Sequence, residues 1–495
     1  MSDRAPAGGR LSARGIIRAV SSGFAELAPS AREYGASPGT EGHGAKGADV
    51  TGGMDVTDVT GTSPCDPPDG PINWRGYGAA RERARTATGE SESAVCGTAR
   101  IGGAEVVLVS FEFGYLGGSL GVRTGELLAA AHAHARTHRL PLVSLIATGG
   151  SRMQEGMIAL TQLQRVARES ALARRAGVPQ LAVLRDPSTG GGWATLGAGA
   201  DVVLALPGAQ VAFAGSRVRP EGAEPAAYTA EGQYAAGHID QIVSGEDLGE
   251  ALQRWVALLA GRSHRPPGPP RALSAGPAAS VPSGGQEAVA RARSSRRPRA
   301  TAYLDDYFDW REELRGDRCG GVDEGMLCGF GHAGGRTVAY AAQTGTATRP
   351  AGFRTAARLI RTAGRLGIPV LTLIDTPGAA NDAEAESAGA GPAIAEVFAA
   401  VAEAEVPVTS LLIGEGGSGG ALALAAPGRL WVTPDSYFSV IAPELAAAIL
   451  KRPPEEAAAT AEELWLRPQD VVRLGIARAV VDAHPPRSGS EGAAR

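Results

Sequence analysis

The sequence contains 495 residues, of which 43% are hydrophobic and 20% are charged, with a formal net charge of −4. This length suits two or three globular domains, and the small negative charge argues against nucleic acid as a partner. The sequence has no run of about 18 apolar residues and its four cysteines form no C-x-x-C pair, so we expect no membrane span, no zinc site, and reduced thiols in the cytoplasm.

In chain order, composition divides the sequence into five segments. Stretches rich in Gly, Pro and Ser without an apolar period predict flexible connections, whereas periodic apolar stretches predict folded bodies. The predicted segments are 1–70 (an N-terminal helix and a flexible linker), 71–262 (a first body), 263–299 (a Pro/Gly/Arg-rich linker), 300–484 (a second body) and 485–495 (a disordered tail).

The two bodies repeat each other in sequence. "LPLVSLIATGGS" begins at Leu140 and "IPVLTLIDTPGA" begins at Ile368, a shift of 368 − 140 = 228 residues. "VPQLAVLRDPSTGGG" at Val178 and "VPVTSLLIGEGGSGG" at Val406 give the same shift, 406 − 178 = 228. Two strands in one register indicate an internal duplication. Each body is predicted to be an α/β unit whose buried parallel strands end in glycine-rich loops, at the edge where such sheets bind ligands.

The loop "GEGGSGG" (414–420) fits the dinucleotide-binding pattern G-x-G-x-x-G. A nucleotide site is disfavoured because the loop comes late in its body, precedes a short helix, and has "RDPSTGG" as its counterpart in the first body. A single glycine can simply allow close packing. Glycine loops in register in both bodies instead favour uncovered backbone N–H groups that stabilise a negatively charged oxygen. Since no paired nucleophile and base stands out, we expect chemistry by charge stabilisation.

Several long motifs resemble a known family. "FEFGYLGGSLG" (111–121) and "ATGGSRMQEGMIALTQ" (147–162) resemble the β subunit of the acetyl-CoA carboxylase carboxyltransferase. Four motifs of the second body resemble the α subunit of the same enzyme: "RPAGFRTAARL" (349–359), "TLIDTPGA" (372–379), "IGEGGSGGALAL" (413–424) and "SYFSVIAPE" (436–444). The resemblance covers both bodies almost whole, so the chain resembles a β–α fusion.

The resemblance implies a fold and a reaction. The implied fold is two tandem crotonase-like (ClpP/crotonase) domains built from internally duplicated ββα units. The implied reaction transfers the carboxyl group of carboxybiotin to the α-carbon of acetyl-CoA or another short acyl-CoA, and with acetyl-CoA the product is malonyl-CoA. Biotin takes the α-proton, so the ureido oxygen and the thioester oxygen carry charge in turn, which calls for two oxyanion sites.

Site residues follow from the matching motifs. Gly149 and Gly150 are implied to hold the thioester oxygen, and the ureido oxygen of biotin is assigned to Gly416, Gly417, Gly419 and Gly420. The residues predicted to bind substrate are Arg152, Gly191, Gly378, Arg349 and Arg354. For the three arginines, a contact with CoA or the pocket wall and an ordinary surface position both remain open.

Partners and alternatives also follow from the resemblance. We expect no covalently bound cofactor, because biotin arrives on a separate biotin carboxyl carrier protein that a biotin carboxylase loads. The four-Cys zinc ribbon of the β subunit is absent, which agrees with the expectation of no zinc. A homodimer or higher homo-oligomer in the cytoplasm is expected. The alternatives are a malonate decarboxylase β/γ-like enzyme, which acts on a malonyl thioester without biotin, and a non-catalytic paralogue.

Overall fold

The computed structural model describes residues 10–27, 69–273 and 280–484. The predicted disordered tail (485–495) and most of the predicted N-terminal linker (28–68) lie outside these residues. Within them, the structure confirms an α/β fold with two tandem units, each organised around its own sheet.

The first sheet has the strand order β1-β2-β3-β4-β5-β6-β8, with β7 paired to β5. The antiparallel hairpin of β2 and β3 was not predicted, whereas the parallel pairing of β4 and β5 was. The elements are α1 (Ala13–Val20), β1 (Ser22–Glu26), α2 (Tyr77–Thr88), β2 (Ala94–Ile101), β3 (Ala104–Phe111), α3 (Val122–His138), β4 (Leu142–Thr148), α4 (Gly156–Arg175), β5 (Gln180–Thr189), α5 (Gly190–Gly192), β6 (Val202–Ala205), β7 (Val211–Ala212), α6 (Ala230–Ala235), β8 (Gln241–Ile242) and α7 (Leu248–Leu259).

The second sheet repeats this plan in the order β10-β11-β12-β13-β14-β15, with β16 paired to β14. The elements of this part of the chain are β9 (Ala272–Leu273), α8 (Gly285–Arg293), α9 (Ala300–Tyr307), β10 (Trp310–Leu314), β11 (Met326–Ala333), β12 (Arg336–Gln343), α10 (Pro350–Leu366), β13 (Val370–Thr376), α11 (Ala383–Ser387), α12 (Ala390–Ala402), β14 (Val408–Gly417), α13 (Ser418–Leu422), β15 (Leu430–Val432), β16 (Tyr437–Ser439), α14 (Pro443–Ile449), α15 (Ala457–Glu463), α16 (Pro468–Arg473) and β17 (Ala483–His484). Strands β9 and β17 form a separate two-stranded sheet.

One apolar cluster extends across both bodies, and an ion pair also joins them. Trp255 of α7 is fully buried and its ring centroid lies 6.3 Å from that of Phe330 in β11. Around this core, Arg358 of α10 reaches the buried Asp240 of the first body at 3.0 Å. Burying charges is tolerated when they are paired and hydrogen-bonded, so this ion pair helps to fix how the two bodies meet.

The predicted linker 263–299 is folded in its described part. Its backbone contacts the second body: Ser263 N–H donates to Gly367 O at 2.9 Å, and Pro267 O accepts from Thr409 Oγ1 at 2.9 Å. Further along, β9 pairs with β17, and the segment ends with helix α8 and the turn that leads to α9. Composition therefore indicated an irregular connection where tertiary contacts produce an ordered one.

Candidate active site

Two glycine loops of the first body touch each other. One follows β4 and contains Gly149 and Gly150, and the other starts α5 at Gly190. A Cβ added to Gly190 would lie 2.9 Å from the Cα of Gly150, and Gly150 itself has φ +105°. Side chains would therefore push the loops apart, because only glycine combines this backbone angle with such close approach.

Hydrogen bonds show which amides of the first loop are available. The Gly149 N–H donates to Gly117 O at 2.9 Å, and the Gly150 N–H donates to Thr148 Oγ1 at 3.0 Å. Both predicted donors thus have partners within the chain. The next amide, that of Ser151, has no hydrogen-bond partner among the described residues. Sequence reasoning assigned no donor role to Ser151.

The second body reproduces this turn. The Gly378 N–H donates to Thr376 Oγ1 at 3.1 Å, as Gly150 does to Thr148. The Ala379 amide, at 151 + 228 = 379, has no hydrogen-bond partner within the described ranges either. The register of the repeat was the signal that could have indicated both amides.

The second loop of this body comes close to the first. A Cβ on Gly417 would lie 1.9 Å from Pro377 O, and one on Gly420 would lie 2.5 Å from the Ala379 nitrogen. Gly417 and Gly420, predicted as donors to biotin, therefore have a first role in bringing the two loops together. Gly420, in the first turn of α13, therefore lies against the Ala379 nitrogen.

Gly416 and Gly419 differ in their surroundings. Gly416 pairs with Phe438 in the sheet, and a Cβ there would lie 2.5 Å from the Phe438 ring. Gly419 has open space where a Cβ would be, and its amide has no partner in the part of the chain that the structure describes. Its counterpart is Gly191 (191 + 228 = 419), whose amide is likewise without a partner there. Each body thus offers N–H groups without a partner among the described residues, at the ends of two neighbouring parallel strands.

Arg152 lies beneath the first loop, with a side chain that is 1% exposed. Its guanidinium donates to Glu92 at 3.1 Å, Glu155 at 3.2 Å and the Tyr77 hydroxyl at 3.1 Å, and its Nε donates to Ser119 Oγ at 3.2 Å. Burial opposes its charge, but the hydrogen bond and charge of Glu92 hold the pKa of Arg152 above its usual value. The structure therefore places Arg152 as an internal support of the loop.

The other two predicted arginines lie at the N-terminal end of α10 in the second body. Arg349 precedes α10 and pairs with Asp382 at 3.2 Å, with 40% of its side chain exposed. Arg354 is less exposed and its Nε donates to Asp317 at 2.7 Å. Arg349 is thus the more accessible, next to Thr348, which bridges to Ala379.

Sequence reasoning missed a polar cluster beside the second loop. The Tyr437 hydroxyl donates to Glu415 at 2.7 Å, and Arg293 pairs with Glu415 at 3.0 Å and with Glu444 at 2.7 Å. Burial and the Glu415 carboxylate raise the pKa of Tyr437. The position of Glu415 inside "GEGGSGG" was the signal available in the sequence.

Elsewhere, a cavity of about 470 Å³ lies between the bodies, lined in part by Asp240, Arg254 and Trp310, and none of its lining residues belongs to the glycine loops. No group of three or more described His, Cys, Asp or Glu side chains is placed to hold a metal ion. Among the helices described, none has the length and apolar character needed to cross a bilayer.

Family models match both bodies. A model described as "Carboxyl transferase domain" matches residues 71–245, and one described as "Acetyl co-enzyme A carboxylase carboxyltransferase-like" matches residues 284–491. The acetyl-coenzyme A carboxylase carboxyl transferase subunits beta/alpha of Saccharopolyspora erythraea are 38% identical over 424 residues, covering 82% of this chain and 74% of that one. The protein of the same description from Salinispora arenicola is 40% identical, covering 81% and 75%.

Other relatives have different descriptions. A probable biotin-dependent acyl-coenzyme A carboxylase beta3 subunit of Mycobacterium bovis is 32% identical, covering 81% of this chain and 82% of that one. Among solved structures, transcarboxylase 12S has a TM-score of 0.65 at 21% identity, covering 80% of this chain and 79% of that one. A single-chain long-chain acyl-CoA carboxylase also has a TM-score of 0.65, at 20% identity, covering 81% and 41%. These likenesses confirm the crotonase-like fold.

Proposed function

The chain belongs to the family of biotin-dependent acyl-CoA carboxylase carboxyltransferases, and from that premise we propose that it carboxylates acetyl-CoA to malonyl-CoA. The supporting observation is that amides in both bodies, those of Ser151 and Gly191 and those of Ala379 and Gly419, have no hydrogen-bond partner among the described residues. Two such pairs suit a reaction in which two different oxygens gain negative charge.

The amides of the first body stabilise the thioester oxygen when the α-proton leaves, and those of the second stabilise the ureido oxygen of biotin. The bond between the biotin nitrogen and its carboxyl group breaks to release CO2, and the biotin left behind takes the proton from the α-carbon of the acyl-CoA. The new carbon–carbon bond then forms between that α-carbon and CO2. Loss of one oxyanion donor typically lowers a rate about 100- to 1,000-fold, so each pair is a large contribution. Thr148 and Thr376 hold the two turns that aim these donors.

Biotin is expected on a separate carrier protein loaded by a biotin carboxylase, because this chain has only two lysines, Lys46 and Lys451, and neither lies in an Ala-Met-Lys-Met setting. We expect no covalently attached cofactor and no zinc.

The enzyme is expected to work as a homo-oligomer, because exposed apolar side chains flank both sites. Met153 and Met157 are 75% and 68% exposed beside the first loop, and Val440, which follows the Ser439 that pairs with Gly417, is 72% exposed. Light scattering should give at least two copies; a monomer would contradict this.

The test is the reverse reaction, run with purified protein and free biotin. Malonyl-CoA should be converted to acetyl-CoA, with the carboxyl group transferred to biotin. Methylmalonyl-CoA and longer malonyl thioesters, assayed in parallel, measure the chain-length preference. Malonyl-CoA should give the highest kcat/KM, and omission of biotin should remove the activity.

Other outcomes separate the alternatives. Acetyl-CoA released at the same rate without biotin would indicate a decarboxylase. A preference for methylmalonyl-CoA or a longer thioester would keep the carboxyltransferase and reject acetyl-CoA as its substrate. No turnover with any of the thioesters, from protein with a normal circular dichroism spectrum, would sink the carboxyltransferase proposal.

A further inference from the structure

Arg297, from the segment that resembled a linker, is buried inside the second body. Its side chain is 2% exposed. Its Nη2 donates to both carboxylate oxygens of Asp375, at 2.9 Å and 2.8 Å. Its Nε donates to Ala292 O at 2.9 Å and its Nη1 to Ile413 O at 2.9 Å, so the three guanidinium nitrogens contact three parts of the chain at once.

Asp375 joins the ends of both strands that lead into the second site. It precedes Thr376 at the end of β13, and its Oδ1 accepts the backbone N–H of Glu415 in β14 at 3.1 Å. Its carbonyl accepts the Gly345 N–H at 2.8 Å. Since the loop with Ala379 leaves β13 and the loop with Gly419 leaves β14, one carboxylate sets the spacing of the two donor loops.

The pair also accounts for Gly414, the first glycine of "GEGGSGG". A Cβ at Gly414 would lie 2.3 Å from Arg297 Nη2 and 2.3 Å from Asp375 Oδ1. The first body has no such pair at the equivalent place, where Ala147 (375 − 228 = 147) occupies the position of Asp375. This support therefore belongs to the second site alone.

We propose that Arg297 is a positioning residue for the second site, holding the Ala379 and Gly419 amides at the separation that the biotin oxygen requires. This inference rests on the proposed function. Arg297 does not contact the reacting atoms and acts through Asp375 and the ends of β13 and β14. A displacement of a donor loop by about 1 Å can lower a rate about 100-fold.

The test compares Arg297→Lys with Arg296→Lys in the reverse reaction. Arg296 is the adjacent, exposed arginine, so the control has the same chemical change outside the cluster. Lysine keeps the charge, but its single ammonium nitrogen cannot replace the three guanidinium nitrogens that separately reach Asp375, Ala292 O and Ile413 O. We expect Arg297→Lys to lower kcat about 10- to 100-fold and to raise the KM for biotin, while the KM for malonyl-CoA stays within about twofold. Arg296→Lys should match the wild type.

Each remaining outcome has a defined meaning. A wild type without turnover rejects the proposed function and this inference with it. An active wild type with an Arg297→Lys variant of unchanged kcat and biotin KM overturns this inference alone. Equal rises in both KM values with a lowered Tm would also overturn it, because they show a general structural role. Arg297→Met, which removes the charge, should give the same selective loss more strongly if it folds, and Arg297→Lys decides if it does not.

Discussion

The two bodies present their amides on the same backbone turn but support that turn differently. In the first, Arg152 lies next to the loop in sequence and is enclosed by Glu92 and Glu155. In the second, Arg297 reaches Asp375 from 78 residues away. The shared element is the hydrogen-bonded turn of Thr148 and of Thr376, which indicates that the duplication retained donor geometry while its side-chain support was replaced.

The same comparison extends to the helices beneath the loops. Helix α3 begins at Val122 and α10 begins at Pro350, so the helices keep the shift of 350 − 122 = 228 residues. Within them, the buried His132 corresponds to Ile360, because 132 + 228 = 360. The same position of the repeat thus holds a titratable side chain in the first body and an apolar one in the second.

The largest effect is expected when either donor loop is distorted. Gly150→Val places a branched side chain at φ +105°, and Gly417→Val places a Cβ 1.9 Å from Pro377 O. Each should lower kcat/KM about 100-fold or more, because carboxyl transfer needs both oxyanion sites. The control is Gly391→Ala in α12, where a Cβ meets open space. A near-normal rate in either valine variant would show that the two bodies do not both supply an essential oxyanion site.

Glu92→Gln is the first-body counterpart of Arg297→Lys, and we expect it to change the KM for malonyl-CoA selectively. Arg152 loses one of its two carboxylates, which should cost about 1–3 kcal/mol of stability because the group is buried. The KM for malonyl-CoA should rise about tenfold and that for biotin should not change. Glu126→Gln, in the partly exposed pair with Arg123, is the control. A rise in the biotin KM instead would reverse our assignment of substrates to bodies.

The smallest effect concerns pH. Burial lowers the pKa of His132, with smaller opposing effects from the Leu128 carbonyl and Glu169, and Arg136 lowers it further. Because the folded pKa is depressed below 6.5, stability present above pH 6.5 is lost as pH falls towards the folded pKa, by at most about 1.4 kcal/mol per pH unit. Thermal unfolding from pH 7 to 5 should show this loss in the wild type and a weaker one in His132→Leu. Identical slopes would show that other groups cause it.

Sequence alone predicted the α/β class, the duplication and the positions of the glycine loops, because strand periodicity and glycine are local signals. It did not identify the Ser151 and Ala379 amides, which have no partner within residues 10–27, 69–273 and 280–484, because that depends on which N–H groups are hydrogen-bonded inside each turn. The burial of Arg297 was equally out of reach: a Pro- and Arg-rich composition predicts solvent exposure, and only the fold brings Asp375 to it.

The contacts of residues 263–299 have a practical consequence for dissecting the enzyme into two polypeptides. Arg262 donates to Gly177 O at 2.6 Å and so faces the first body, whereas Ser263 onward bonds to the second. A gene split for co-expression therefore belongs between these two residues. A split at residue 300, where the composition changes, would truncate the start of the second polypeptide and place Arg297 and Asp375 on different polypeptides.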